Sequence, residues 1–181
     1  MRVITGTARG RKLKDLPGLD TRPTTDQVKE SIFNIIQFDI EGRKILDLFG
    51  GSGQMAIEAL SRGADSAVLV ENNPAAVKVI RDNVTTCGFS GVTRVLPSDA
   101  RVFLNGCREK FDVIFLDPPY AGDLLEESLK TIAKIDIVTE NGIIVCESSQ
   151  DKVLPELEAP YEKGKEYRYG KIKVTLYRRK A

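Results

Sequence analysis

A chain of 181 residues, 41% hydrophobic and 29% charged, has the make-up of one globular domain that buries roughly 70% of its unfolded surface without disulfide or metal staples. Cys87, Cys107 and Cys146 are widely spaced with no C-x-x-C, and there is no histidine, no signal-like start and no apolar run approaching 18 residues; a zinc site, a secreted disulfide framework, His-based catalysis and a membrane span are excluded, and a cytoplasmic monomer without metal is expected. The net charge of +1 hides an asymmetry: residues 1–14 carry +5, residues 161–181 carry +6 and the body between them −10, so two basic ends invite a polyanion, unless they are edge strands whose Lys and Arg discourage pairing.

In chain order, residues 2–16 alternate basic and apolar side chains around Gly6 and Gly10 and predict a short basic hairpin or extended arm. Thr24 and Gln27 have capping-box spacing before Val28, Ile32, Ile35 and Ile36, which predict a helix to about Phe38. From Lys44 short apolar strands alternate with amphipathic helices. A strand over 44–49 leads through Gly50-Gly51-Ser52-Gly53 into a helix over 54–62. A strand over 67–71 leads to Asn73 as N-cap, Pro74 at the first helical position and Val77, Ile80 and Val84 on one face. A strand over 92–96 and a short helix after Asp99 follow. A strand over 111–117 precedes a helix with Leu125, Leu129, Ile132 and Ala133 inward, and Gly142 to Glu147 forms a fifth strand. Residues 165–169 and 171–178 flank Gly170 as an antiparallel hairpin. Repeated strand-helix units imply an α/β fold with a mainly parallel sheet, seven strands in all, helices on both faces and an antiparallel edge. One domain spans 1–181, with a basic segment over 1–23 and the core over 24–181.

Ligands of such sheets sit at the carboxyl ends of the strands, and four strands end there in chemistry. Asp47 precedes the glycine turn Gly51-Ser52-Gly53, where glycine permits positive φ and close approach of a ligand to the backbone. Glu71, followed by Asn72, lies 20 residues past Gly51, where a carboxylate can accept both hydroxyls of a ribose. Asp99, followed by Ala100, is placed for an adenine amino group. Together they specify an adenosine. The pattern Gly51-x-Gly53-x-x-Ala56 also satisfies a dinucleotide fingerprint, but a carboxylate before the turn suits the cationic end of S-adenosylmethionine and ill suits a pyrophosphate. The fourth strand ends in Asp117-Pro118-Pro119-Tyr120: an acid, a rigid turn and an aromatic ring, or in the plainer reading a capped turn.

Asp47-Leu-Phe-Gly-Gly-Ser-Gly53 with Asp117-Pro-Pro-Tyr120 resembles the Rossmann-like class I S-adenosylmethionine-dependent methyltransferases that act on exocyclic amines. With Arg22-Pro-Thr-Thr-Asp26, Val28-Lys-Glu-Ser-Ile-Phe33 and Glu58-Ala-Leu-Ser-Arg-Gly-Ala64, the chain is similar over its whole length to the RsmD family of bacterial 16S ribosomal RNA guanine-N2 methyltransferases. Gly50 stands where that family usually has alanine, and Gln27 where arginine is frequent. The resemblance implies methylation of guanine N2, at nucleotide 966 in the family's RNA numbering, in ribosomal RNA or an assembling small subunit. It implies that Asp47 and the glycine loop hold the methionine end, Glu71 the ribose and Asp99 the adenine.

An amide-like guanine amine is a poor nucleophile. If the Asp117 carboxylate and the Pro118 carbonyl each accept one N–H, its lone pair can turn toward the methyl carbon while Tyr120 stacks on the extruded base. Arg2, Arg9, Arg11, Lys12 and Arg22 are the expected phosphate contacts. Other readings are an adenine-N6 DNA methyltransferase, for which 181 residues leave no separate target-recognition domain, a catalytically silent RNA-binding module, and an NAD-dependent oxidoreductase.

Overall fold

The computed structural model describes residues 1–16, 25–119 and 122–181. Strands β1 (Lys44–Asp47), β2 (Ser66–Glu71), β3 (Thr93–Pro97), β4 (Phe111–Leu116), β5 (Val138–Ser149), β6 (Tyr161–Tyr169) and β7 (Ile172–Arg179) form one seven-stranded sheet in the order β3-β2-β1-β4-β5-β7-β6. β1 to β5 pair in parallel, and β7 pairs antiparallel with both β5 and β6. The helices are α1 (Asp26–Ile35), α2 (Gln54–Ser61), α3 (Pro74–Thr86), α4 (Ala100–Gly106) and α5 (Leu124–Ile135). Among the described residues no helix is long and apolar enough to cross a membrane.

The central strands are apolar on both faces because both are covered. Ile45, Leu69, Val113, Phe115, Ile143 and Val145 pack toward α1, α2 and α3, with the Phe33 and Phe115 rings 5.8 Å apart. Their alternate neighbours Leu46, Val70, Ile114, Leu116, Ile144 and Cys146 pack toward Leu104 of α4 and Leu125, Leu129 and Ile132 of α5. The central strands β1 and β4 therefore sit between two apolar layers, and their carboxyl ends are held rigidly.

Several boundaries differ from the sequence reading. The cap of α1 is Thr25, whose hydroxyl accepts the Val28 N–H at 3.3 Å; Thr24 lies outside the described residues. The helix ends at Ile35 and continues as a single 3-10 turn over Gln37–Asp39. β5 begins four residues before Gly142, because Val138 pairs with Phe111 ahead of a register shift between Phe111 and Val113. β6 begins at Tyr161, whose partner is Arg179 near the end of β7.

The basic N-terminus forms a hairpin closed by an Arg2–Lys12 bridge, with the Val3 N–H donating to Arg11 O at 3.0 Å and the Gly10 N–H to Val3 O at 2.9 Å. It is no free arm. Val3, Ala8 and Leu13 are buried in the same core as α1 and α2, and α2 holds its backbone: Glu58 accepts the Ile4 and Thr5 N–H groups at 2.9 and 3.0 Å, and the Ser61 hydroxyl accepts that of Ala8 at 2.9 Å. Gly6, at φ +98°, lies so close to Ser61 that a Cβ there would stand 1.8 Å from its carbonyl oxygen. The segment Glu58 to Ala64, which the sequence offers only as a family signature, thus has a structural task.

Candidate active site

The carboxyl edge of the sheet gathers the predicted groups from β1, β2, β3 and β4. After β1 the chain turns back on itself: the Gly50 N–H donates to Val70 O at 2.9 Å and the Gly53 N–H to Gly50 O at 2.8 Å. Gly51 and Gly53 have φ of +58° and +84°, a region where a side chain is strained. Glu71 fastens this turn to β2, since its two carboxylate oxygens accept the Gly51 N–H at 2.9 Å and the Asn73 N–H at 3.0 Å. Each oxygen keeps a further lone pair for a ligand hydroxyl. Asn83 of α3 ties the same turn to the basic hairpin: its amide donates to Ser52 O at 2.9 Å and Lys14 O at 3.1 Å and accepts the Lys14 N–H at 2.7 Å. Sequence reading gave no signal for that residue beyond its place on the inner face of α3.

Beside the turn lies a cleft of about 90 Å³. Leu48, Phe49, Val70 and Leu124 give it apolar walls, and Glu71, Asn72, Ser98 and Asp99 a polar rim. Apolar faces with acceptors at the edge suit a purine nucleoside. Asp99 caps α4 by accepting the Arg101 N–H at 2.8 Å, so it has a structural role besides the one expected of it. Ala100 and Pro119 also line the cleft, which brings the Asp-Pro-Pro turn and the predicted nucleoside residues to one place.

Electrostatically this edge is one-sided. Asp47 is 4% exposed, and burial, aided by the Glu71 charge, pushes its carboxyl up to about 8 against the opposing pull of the Phe49 backbone N–H. Asp117 is raised well above the ordinary carboxylate range by burial, by the charge of Glu147 and a hydrogen bond with it, and by the charge of Asp47. Neither Asp47 nor Asp117 forms an ion pair among the described residues, nor does any group of three or more acidic, Cys or His side chains there suit a metal ion. Buried carboxylates without a cation are costly, so a ligand bearing positive charge would relieve them.

Glu147 was not singled out from the sequence. It follows Cys146, which pairs with Leu116, so parallel register sets it beside Asp117. Its signal was the one that marked Asp47 and Asp117, an acid closing an apolar run. Pro118 is buried and Pro119 exposed; Tyr120 and Arg22 lie outside the described residues. Of the other expected phosphate contacts, Arg9, Arg11 and Lys12 are exposed and form no ion pair among the described residues, whereas Arg2 lies 4.0 Å from Asp26.

The family model described as "Conserved hypothetical protein 95" matches residues 1–178. Ribosomal RNA small subunit methyltransferase D of Escherichia coli (strain K12) is 37% identical over 183 residues, 100% of this chain and 91% of that protein. The Bacillus subtilis protein YlbH is 38% identical over 183 residues, 99% of this chain and 100% of its own length. The solved structure of Escherichia coli yhhF superposes with a TM-score of 0.90 at 34% identity, covering 100% of this chain and 98% of that one.

Proposed function

The chain belongs to the ribosomal RNA small subunit methyltransferase D family, and from that premise we propose that it transfers a methyl group from S-adenosylmethionine to the exocyclic N2 amine of a guanine in small-subunit ribosomal RNA. The observation that carries this reading is the row of acids toward the carboxyl ends of β1, β4 and β5, with buried Asp47 and Glu147 and half-buried Asp117, beside a cleft with apolar walls and a polar rim.

The residues fit that methyl donor. Asp47, driven up to about 8 by burial, would be returned to its ionised form by a sulfonium and an ammonium placed against it. The glycine turn supplies close backbone approach, Glu71 the ribose acceptors and Asp99 with the apolar walls the adenine site. When bound, S-adenosylmethionine supplies an electrophilic methyl carbon.

The chain's remaining task is to aim an amine. Asp117 and the Pro118 carbonyl would each accept one N–H of the extruded base, leaving the nitrogen lone pair directed at the methyl carbon. A nitrogen–carbon bond forms, the carbon–sulfur bond breaks with its electron pair on sulfur, and the amine is left with one proton too many. Asp117 holds a proton more readily than an isolated carboxylate, because burial and the neighbouring charges of Glu147 and Asp47 disfavour its ionised form. Asp117 is therefore a fitting acceptor for that proton, a larger role than the positioning expected from sequence alone.

The test supplies tritiated S-adenosylmethionine with ribosomal RNA, assembled small subunits or duplex DNA. Label is expected in RNA or subunits at a guanine N2. Label in DNA alone would replace this reading with an amine methyltransferase acting on adenine, and label in no acceptor would favour a silent binding module.

A further inference from the structure

A second cavity lies away from the nucleoside cleft. It is a groove of about 430 Å³ between residues 150–153, which follow β5, and the β6–β7 hairpin. Lys152, Lys163, Arg168 and Lys173 line it, against the acids Asp151 and Glu166. Its floor is built. Lys173 donates to Lys152 O and pairs with Glu166 at 2.9 Å, and Lys163 donates to Leu154 O at 3.0 Å. A carbonyl fixes an ammonium without cancelling its charge, so Lys163 is held as a net positive charge, whereas the charge of Lys173 is offset by Glu166. Arg168 is exposed and has no hydrogen-bond or ion-pair partner among the described residues, leaving its planar fork available for a phosphate.

Three contacts tie this groove to the edge of the sheet that carries the site. Lys152 donates to Gly122 O at 3.2 Å and pairs with Glu126 at 2.8 Å, in the segment that follows the Asp-Pro-Pro turn. The Gln150 N–H donates to Lys171 O at 2.8 Å, locking the loop to the hairpin turn at the same edge of the sheet as Asp117. In the strand order β3-β2-β1-β4-β5-β7-β6, the acids occupy the centre. The basic N-terminal hairpin docks through α2 and α3 at the β1–β3 side, and the groove lies at the β6 end. β6 is three strand steps from β4, roughly 14 Å, a span that a few nucleotides cover.

We propose that this groove is a second RNA-backbone site, taking a phosphodiester that flanks the target nucleotide on the side away from the N-terminal hairpin. The inference rests on the reading of the substrate as ribosomal RNA. Its logic is that an acidic pocket repels the chain it must act on, so binding energy comes from fixed cations to either side, and such contacts position without reading sequence.

The test compares the wild-type chain, Arg168→Glu and, as a matched charge control at the opposite edge of the sheet, Arg108→Glu. Affinity for ribosomal RNA is measured across a salt series, with methylation kinetics and binding of S-adenosylmethionine alone. Arg168→Glu should weaken RNA binding about tenfold and lower the salt slope by about one. Its affinity for S-adenosylmethionine and its kcat at saturating RNA should match wild type, and Arg108→Glu should match wild type throughout. A wild-type chain that methylates ribosomal RNA beside an Arg168→Glu variant with unaltered affinity and slope overturns the groove alone. A wild-type chain that neither binds nor methylates ribosomal RNA overturns the functional reading, and the groove with it.

Discussion

Among the described residues two charge clusters lie largely withdrawn from solvent, and they are built in opposite ways. Beneath the N-terminal hairpin, Glu58 faces Lys29 at 3.7 Å and Arg62 at 2.9 Å, all but hidden from solvent. Its oxygens also accept two backbone N–H groups, while Lys29 donates to Arg2 O at 2.7 Å. Every charge there meets its opposite. At the carboxyl edge Asp47 and Asp117 meet other acids and backbone and, among the described residues, no cation. The first cluster is complete within the chain and serves the fold; the second is incomplete and is a place for something cationic.

The sharpest way to break that contrast is to remove one member of each cluster. Glu58→Ala leaves Lys29 buried without a counter-charge and frees the hairpin backbone, so it should cost about 3–5 kcal/mol of stability, read from urea unfolding. A loss near zero would show that the hairpin is held by its apolar contacts alone. Asp117→Ala should do the reverse: kcat falls about a hundredfold or more, while S-adenosylmethionine still binds and the unfolding midpoint does not fall. Near-normal turnover would show that the carboxylate does not hold the amine.

A smaller perturbation probes how tightly the two regions are joined. Gly6→Ala places a methyl group into the Ser61 carbonyl at a φ that a side chain rarely adopts, and should cost about 1–3 kcal/mol. Because the hairpin carries Arg9, Arg11 and Lys12, affinity for ribosomal RNA should fall with it. Unchanged RNA affinity in a folded Gly6→Ala variant would remove the hairpin from the RNA surface.

The two clusters were unequally legible. Asp47, Glu71, Asp99 and Asp117 each close a short apolar run, a local pattern that a parallel sheet converts into a shared edge. Glu147 closes such a run too, but β5 carries on to Ser149 with no glycine or proline to mark an ending. Its partnership with Asp117 depends on the register of two strands far apart in sequence. Glu58, Ser61 and Asn83 were opaque for the same reason. Each is a polar residue on a buried helix face, and each acts on backbone more than 50 positions away in the N-terminal segment. The sequence predicted a short basic hairpin or extended arm, and the hairpin forms, but its docking was hidden: the buried Val3, Ala8 and Leu13 recur every five residues, a spacing belonging to neither helix nor strand. Turn chemistry and alternation revealed the sheet because they are local, and the docking escaped because it is not.

The subtlest test of the comparison is Asp47→Asn, which keeps shape and removes charge. With its carboxyl raised to about 8 in the folded protein against an ordinary 3.8, Asp47 binds its proton more tightly folded than unfolded. Its contribution to stability is therefore whole below the ordinary value and is lost as pH rises toward 8. In the absence of S-adenosylmethionine, wild-type stability should decline between pH 5 and pH 8, and Asp47→Asn should decline less, ending about 1 kcal/mol more stable at the upper limit. The slope that remains in the variant belongs to Asp117, whose shift has the same sign. The variant should also bind S-adenosylmethionine about tenfold more weakly, since it lacks the charge that the sulfonium and ammonium would meet. Equal pH slopes in the two proteins would mean that Asp47 is no less content in the fold than Glu58; equal affinities would mean that the cationic end of the donor is held elsewhere.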